Sequence, residues 1–315
     1  MNRFQRSWQL FKSSLIVLGR DKRLLLFPIL TTCFTVVLVL LFLMPVAFQR
    51  TGYSYGSLEH WQAVGHSIYV ADNAGSAGSL PYANSPRNLI RGVRPLAVGY
   101  FVVMYFGSMF CATFFNVAFY QQILGALAGQ PVSILAGLRF ACSKWKSILL
   151  WTLFAGAVGY VIKALEQRFG LFGRLVMKLV GAAWSIACVF VIPVIITETE
   201  TSNPLVMLKK SALTLRRTWG ESLIGYVGLS FGSAITLVFS LFWLAGGIAM
   251  ASALHLYWMI AAVVLSWLAL IILWSYVLNV ASQIFRCALF LYASQGAMPQ
   301  PYTEEMAAGA WRRKH

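Results

Sequence analysis

Six stretches of this 315-residue chain are apolar over lengths that leave it few folds: Leu24–Phe48, Pro95–Tyr120, Ile148–Leu165, Leu175–Thr197, Leu223–Leu254 and Leu256–Ser282. The hydrocarbon core of a bilayer takes about 20 apolar residues per helix. A chain crossing it must also satisfy every backbone N–H and C=O internally, which restricts the spanning element to helices or a closed barrel. Runs of this length predict helices. Only 11% of residues are charged, against roughly 25% in a soluble domain. The expected class is therefore all-α: a polytopic membrane protein with six transmembrane helices in one integral membrane domain, residues 1–315. The third run is the shortest. The fifth and sixth are parted by little more than His255, which predicts a tight hairpin. The first run is too long for the core of a signal peptide and lacks a small-residue cleavage site, so it should stay as an anchor.

The segments between the runs set the orientation. The chain carries 25 Lys and Arg against 9 Asp and Glu, a net charge of +16. In a membrane protein such an excess belongs at the anionic inner face rather than on nucleic acid. Residues 1–23, the loops after the second and fourth runs, and the end of the chain hold seventeen cations on one side against eight on the other. Both termini should therefore face the cytoplasm, in the cytoplasmic (inner) membrane, with residues 297–315 as a cytoplasmic tail. Residues 49–94 are rich in Gly, Ser, Asn and Tyr and read as an exposed extracytoplasmic loop. Within it, Arg87, Arg91 and Arg94 would form one cationic stripe on a helix entering the second span. The five cysteines show no disulfide or CxxC metal spacing and read as small apolar fillers.

One pattern recurs on the inner side. After Asn203, a good N-cap, and Pro204, a good first helical residue, Leu205, Leu208, Ala212, Leu215 and Trp219 follow at helical 3–4 spacing. Lys209 comes directly after the second of them. Trp8, Phe11, Leu15 and Leu18 repeat the phase around Lys12. Leu135, Leu138, Cys142 and Trp145 repeat it around Arg139, and Phe285, Leu289 and Tyr292 around Arg286. Each segment is two spans from the next, so all four fall on one side. They predict cytoplasmic amphipathic interfacial helices between helix pairs, with residues 1–23 as the first, their cations beside anionic lipid headgroups.

The stretches "SWQLFKSSLIVLGRDKRLLLFPIL", "GAAWSIACVFVIPVIITE", "LKKSALTLRRTWGESLIGY" and "IFRCALFLYASQGAMPQPY" resemble an uncharacterised family of six-span prokaryotic integral membrane proteins. The resemblance covers nearly all the chain outside Gln49–Arg94. A weaker similarity links the four segments to the membrane domain found beside some glycerophosphodiester phosphodiesterases. The family brings no assigned chemistry, so the resemblance implies a fold rather than an activity.

Polar residues inside or beside the spans are the candidate sites. Glu198 and Glu200 lie where the fourth run ends, after Pro193. They could hold a proton or cation, since carboxylates near the bilayer core are costly and usually purposeful. Pairing with Lys209 or Arg217 of the next segment would instead fix its angle, and an interfacial charge is cheap enough to need no substrate. Asn116 and Asn279, in "FNVA" and "LNVA", could bridge helices, a contact worth about 0.6 kcal/mol. Lys163 and Lys178 should snorkel to the outer interface beside Glu166 and Arg168. "GYSYG" at Gly52–Gly56 matches G-x-S-x-G, with His60, His66 and Asp72 downstream. That motif works only at a strand-to-helix elbow, and here it follows a membrane span.

The expectation is therefore a protein without catalytic, metal or cofactor residues. It would organise the lipid interface or scaffold a membrane complex, with anionic lipids and a membrane-protein or homo-oligomeric partner. The lipid-interface or structural residues would be Lys12, Arg139, Lys209, Arg217, Arg286, Glu198, Glu200, Asn116 and Asn279. The rival expectation is a transporter or channel for a small apolar or anionic solute, with Pro28, Pro45 and Pro193 giving breaks in or near the ends of the spans.

Overall fold

The computed structural model describes residues 3–68, 95–217, 237–296 and 299–302. Eleven helices are described, and no strand occurs among these residues. They are α1 (Arg3–Arg20), α2 (Leu26–Ala47), α3 (Leu58–Ile68), α4 (Pro95–Leu127), α5 (Ile134–Ser143), α6 (Trp145–Arg168), α7 (Leu171–Ala187), α8 (Val191–Thr197), α9 (Pro204–Arg217), α10 (Leu237–Ala253) and α11 (Tyr257–Gln295). A 3-10 turn, Lys22–Leu25, leads into α2.

Five helical stretches are long and apolar enough to cross a membrane, the pattern of a multi-pass membrane protein: Lys22–Ala47, Ala97–Leu127, Trp145–Arg168, Gly173–Thr197 and Tyr257–Gln295. The third, shortest in the sequence reading, extends to 24 residues. The first part of the fifth expected span, and Trp219 before it, lies outside the described residues. Its second part is α10, and the expected tight hairpin follows. His255 takes a left-handed φ of 53°. The Leu256 N–H returns to the Ala251 carbonyl at 3.0 Å and the His255 N–H to that of Ser252 at 3.1 Å, the paired bonds that close a helix and turn the chain at once.

The chain divides into two compact units. One comprises Met1–Ile29, Phe115–Trp145 and Ser185–His315, the other Leu30–Phe114 and Lys146–Trp184. The first unit is built around the second half of α11, where Val280, Ala281, Ile284, Phe285, Cys287, Ala288, Leu289 and Phe290 are all buried. Helices α1 and α9 pack on α11, and α9 also packs on α8. Here the structure corrects an expectation. The segment around Arg286 is no separate interfacial helix but a continuation of the last span, which runs 39 residues without interruption. No Gly or Pro stands between Tyr257 and Gln295, so nothing ends the helix until Gly296.

In the second unit α6 meets α7 through Trp151 and Trp184, stacked with centroids 6.2 Å apart. The Phe42 ring meets that of Tyr100 edge-on at 5.7 Å, and the Tyr100 hydroxyl donates to the Phe42 carbonyl. Large apolar side chains on α2, Val37, Leu41 and Met44 among them, stay more than half exposed. A soluble core would bury such side chains; a bilayer solvates them. Part of the segment 49–94 is ordered, since Leu58–Ile68 is helical. Arg87, Arg91, Arg94 and Asp72 lie outside the described residues, as does the side chain of His66.

Candidate functional site

The fourth apolar run does not continue straight. It breaks at Cys188–Phe190 between α7 and α8, because Pro193 lacks an N–H and its ring clashes with the carbonyl four residues back. A break inside an apolar segment frees backbone groups that need partners. Ser211 of α9, fully buried, supplies them. Its hydroxyl donates to the Ala187 carbonyl at 2.6 Å and accepts from the Phe190 N–H at 3.1 Å. One side chain thus closes the break and docks α9 on it.

Glu198, just past α8, is the second contact between these elements. Its side chain is 8% exposed and forms an ion pair with Lys210. Lys144, at the C-terminal cap of α5, donates to the Glu198 backbone carbonyl, and the Glu200 N–H reaches its Oε1 at 3.2 Å. The Lys210 hydrogen bond outweighs partial desolvation and holds the Glu198 carboxyl below its ordinary range. The expected partners were Lys209 or Arg217, and the structure substitutes Lys210. With Ser211 facing the break, Lys209 is rotated about 200° from it around the helix and Lys210 about 100°. Lys209 is exposed, and the Arg217 side chain lies outside the described residues. Glu200 is exposed and contributes its backbone.

The start of α9 is as expected, with Asn203 Oδ1 accepting from the Leu205 N–H at 3.0 Å. The start of α5 is held by a residue the sequence did not single out. Buried Gln122 on α4 accepts the Ser133 N–H at 2.7 Å, and Ser133 in turn caps α5. The signal was present only as a polar pair, Gln121–Gln122, inside an otherwise apolar helix.

Beside the junction lies an open cleft of ≈ 460 Å³, walled by the ends of α4, α8 and α11 with Phe140 of α5 and Pro299. Gln121, Gln130, Gln295 and Thr197 offer amides and a hydroxyl around an apolar floor that includes Leu124 and Leu291. Such a lining suits an uncharged polar group carried on an apolar body. Among the described residues, no three His, Cys, Asp or Glu side chains converge as a metal site would require.

The four repeated cations and their neighbours share one feature. Two residues beyond each cation stands a small side chain, Ser14, Ala141, Ser211 and Ala288, and all four are 0% exposed. Lys12, Arg139 and Lys209 remain exposed, and Arg286 is half-buried, hydrogen-bonded to the buried Tyr120 phenol. The repeat is therefore a docking pattern as well as an apolar one. On α5 the docked face is Gly137 and Ala141, whereas Leu135, Cys142 and Trp145 of the expected apolar face are exposed. On α9 the docked residues are Met207, Ser211 and Leu215, and Leu205 is exposed.

The remaining candidates separate. Asn116 is half-buried on α4. Asn279 is exposed and accepts from Gln283 on its own helix at 2.7 Å, so it is a local contact and not the expected bridge. Lys163 pairs with Glu166 at 3.8 Å, as an exposed hairpin predicts. Ser54 is exposed on irregular backbone, while buried His60 has both ring nitrogens engaged by Thr51 and Ala47. No curated protein and no solved structure matches the chain. A family model does match over residues 96–299, from the start of α4 to just past α11. By that match the chain belongs to DUF6159, a family of unknown function.

Proposed function

We propose that the protein is a non-enzymatic organiser of the lipid interface of the cytoplasmic membrane, spanning it six times with both termini inside. The observation that carries this reading is the fourfold docking pattern. Where each repeat buries its small residue, three of the four cations stay exposed, and large apolar side chains such as Leu135, Trp145, Leu205 and Leu213 stay uncovered. A helix held this way sets its apolar side chains at the acyl boundary and its cations among phosphates. Each Lys or Arg near an anionic surface contributes about 1 kcal/mol, so Lys12, Arg139 and Lys209 together favour anionic lipid strongly. The same ordered inner surface would seat a membrane-protein partner.

Reconstitution into nanodiscs of mixed neutral and anionic phospholipid tests this. The wild type should retain anionic lipid several-fold over its bulk fraction when lipid adducts are counted by native mass spectrometry. Lys12→Gln, Arg139→Gln and Lys209→Gln combined should abolish the enrichment. A wild type without preference ends the reading. The broken span and the adjacent cleft support a second reading, a transporter for a small solute. A proton-dependent flux in vesicles, lost in Glu198→Gln protein that melts normally, would put that reading first.

A further inference from the structure

The segment after α2 carries chemistry that the reading above leaves unused. From Leu26 to Ala47, α2 is 22 residues long, which at 1.5 Å per residue is roughly 33 Å. The hydrocarbon core is about 30 Å thick, so the Ala47 end of α2 reaches the headgroup layer. The chain cannot travel far from there. At Gly52 the backbone takes a φ of 81°, a left-handed turn that glycine adopts without strain. Buried His60 then ties the start of α3 back to α2. A carbonyl oxygen only accepts, so Nε2–H donates to the Ala47 carbonyl at 2.9 Å, leaving Nδ1 to accept from the Thr51 hydroxyl at 2.6 Å. One hydrogen bond separates the two helices. Whatever the first turn of α3 exposes, it exposes at headgroup depth.

What it exposes is apolar and aromatic on one side. Val37, Leu41, Met44 and Phe48 form a stripe of more than half-exposed side chains along the lipid-facing surface of α2. The stripe does not stop at the helix end. The Phe48 ring meets Tyr55 edge-on at 5.5 Å, and Tyr55 meets His60 at 5.1 Å. His60 contacts Trp61 at 5.4 Å. Leu58 is 71% and Trp61 51% exposed. Around α3, at 100° per residue, buried His60 and Val64 lie about 40° apart. Leu58 and Trp61 occupy the neighbouring sector, about 60° apart, and Glu59 and Gln62 the polar sector beyond, again about 60° apart. Three sectors, buried, apolar-exposed and polar, describe a helix lying in a bilayer interface, where Trp and Tyr concentrate.

We propose that α3 is an interfacial anchor: the Leu58–Trp61 face rests in the lipid headgroup–acyl boundary on the side where α2 ends, held at that depth by His60. Its occupant is the phospholipid surface itself, because the exposed face continues the stripe by which α2 already meets lipid. The anchor rests on α2 crossing the bilayer and is independent of the lipid preference proposed for the opposite ends of the spans.

Photocrosslinking in proteoliposomes of phosphatidylethanolamine and phosphatidylglycerol tests it. The photoreactive p-benzoylphenylalanine is placed singly at Trp61, at Leu58, at Glu59 on the polar sector and at Met44 in the α2 stripe, and adducts are identified by mass spectrometry. Positions 61 and 58 should give phospholipid adducts within about threefold of position 44, and position 59 at least fivefold fewer. Lipid adducts at 44 but not at 61 and 58 overturn the anchor while leaving α2 as a span. Protein adducts in place of lipid at 61 overturn it in favour of a protein partner. Equal labelling at 61 and 59 overturns the interfacial placement. No lipid adduct at 44 removes the span and the anchor together.

Discussion

Glu198 and Lys210 meet where α8 gives way to the segment leading into α9, with the carboxylate shielded and the ammonium half in water. An exposed pair contributes about 0–1 kcal/mol and a shielded one more, so Glu198→Gln and Lys210→Gln should each destabilise by about 1 kcal/mol. The double variant should cost less than their sum, because either change alone already breaks the pair. Lys209→Gln, tested in place of Lys210→Gln, should leave stability nearly unchanged and add to Glu198→Gln without coupling. Detergent melting of the single and double variants measures both cycles. The pH dependence has a defined sign. The folded carboxyl is held below its ordinary value of 4.5, so the contribution is present above that value and fades as pH falls through the lower folded one. The melting difference between wild type and Glu198→Gln should persist at pH 7 and shrink as pH falls below 4.5. A difference that grows on acidification would contradict the pair.

At the scale of elements, the close approach of α5 to α4 depends on having no side chain at Gly137. A Cβ there would lie 2.9 Å from the Ala118 carbonyl oxygen and 3.0 Å from Gln122 Cγ. The carbonyl belongs to a helix backbone and cannot turn aside. Gly137→Val should therefore push α5 outward and strain the Gln122–Ser133 hydrogen bond that starts it, at a cost of about 1–3 kcal/mol. Ala136→Val, one residue away on the exposed side, should cost only the propensity difference, less than about 1 kcal/mol. Comparing the two melting temperatures isolates the packing effect; equal losses would mean that α5 is not docked this closely. The same small-residue logic runs through Ser14, Ala141, Ser211 and Ala288, where bulk would separate a helix from its support. Ser14 adds a hydrogen bond, 2.8 Å to the hydroxyl of buried Tyr302, which ties the end of the described chain to α1.

For the whole molecule the decisive question is which ends of the spans share a side. Cysteines introduced at exposed Ser54 and exposed Lys209, in a background without the native thiols, should react with a membrane-impermeant maleimide from opposite sides of sealed vesicles. Labelling of both positions from the same side would overturn the proposed topology. The lengths and hydrophobicity of the spans were legible in the sequence because a bilayer imposes them locally: enough apolar residues make a helix of spanning length whatever its neighbours do. The basic positions of the repeat and the cap at Asn203 were legible for the same reason, as was the break near Pro193, whereas Pro28 and Pro45 lie within an uninterrupted α2. The docking face of each repeat was legible only in part: Leu18, Leu215, Phe285 and Leu289 of the expected apolar faces are buried, whereas Leu135, Cys142, Trp145 and Leu205 are exposed. On α5 apolar spacing pointed to Leu135, Cys142 and Trp145, whereas the docked residues are Gly137 and Ala141, whose small size lets two helix backbones approach closely. Lys210 in place of Lys209, the burial of His60, and the fusion of the Arg286 segment into α11 depend likewise on what surrounds each residue in space. Solvent and local geometry were written in the sequence. The choice of partner, set by close packing between helices distant along the chain, was made only by the tertiary structure.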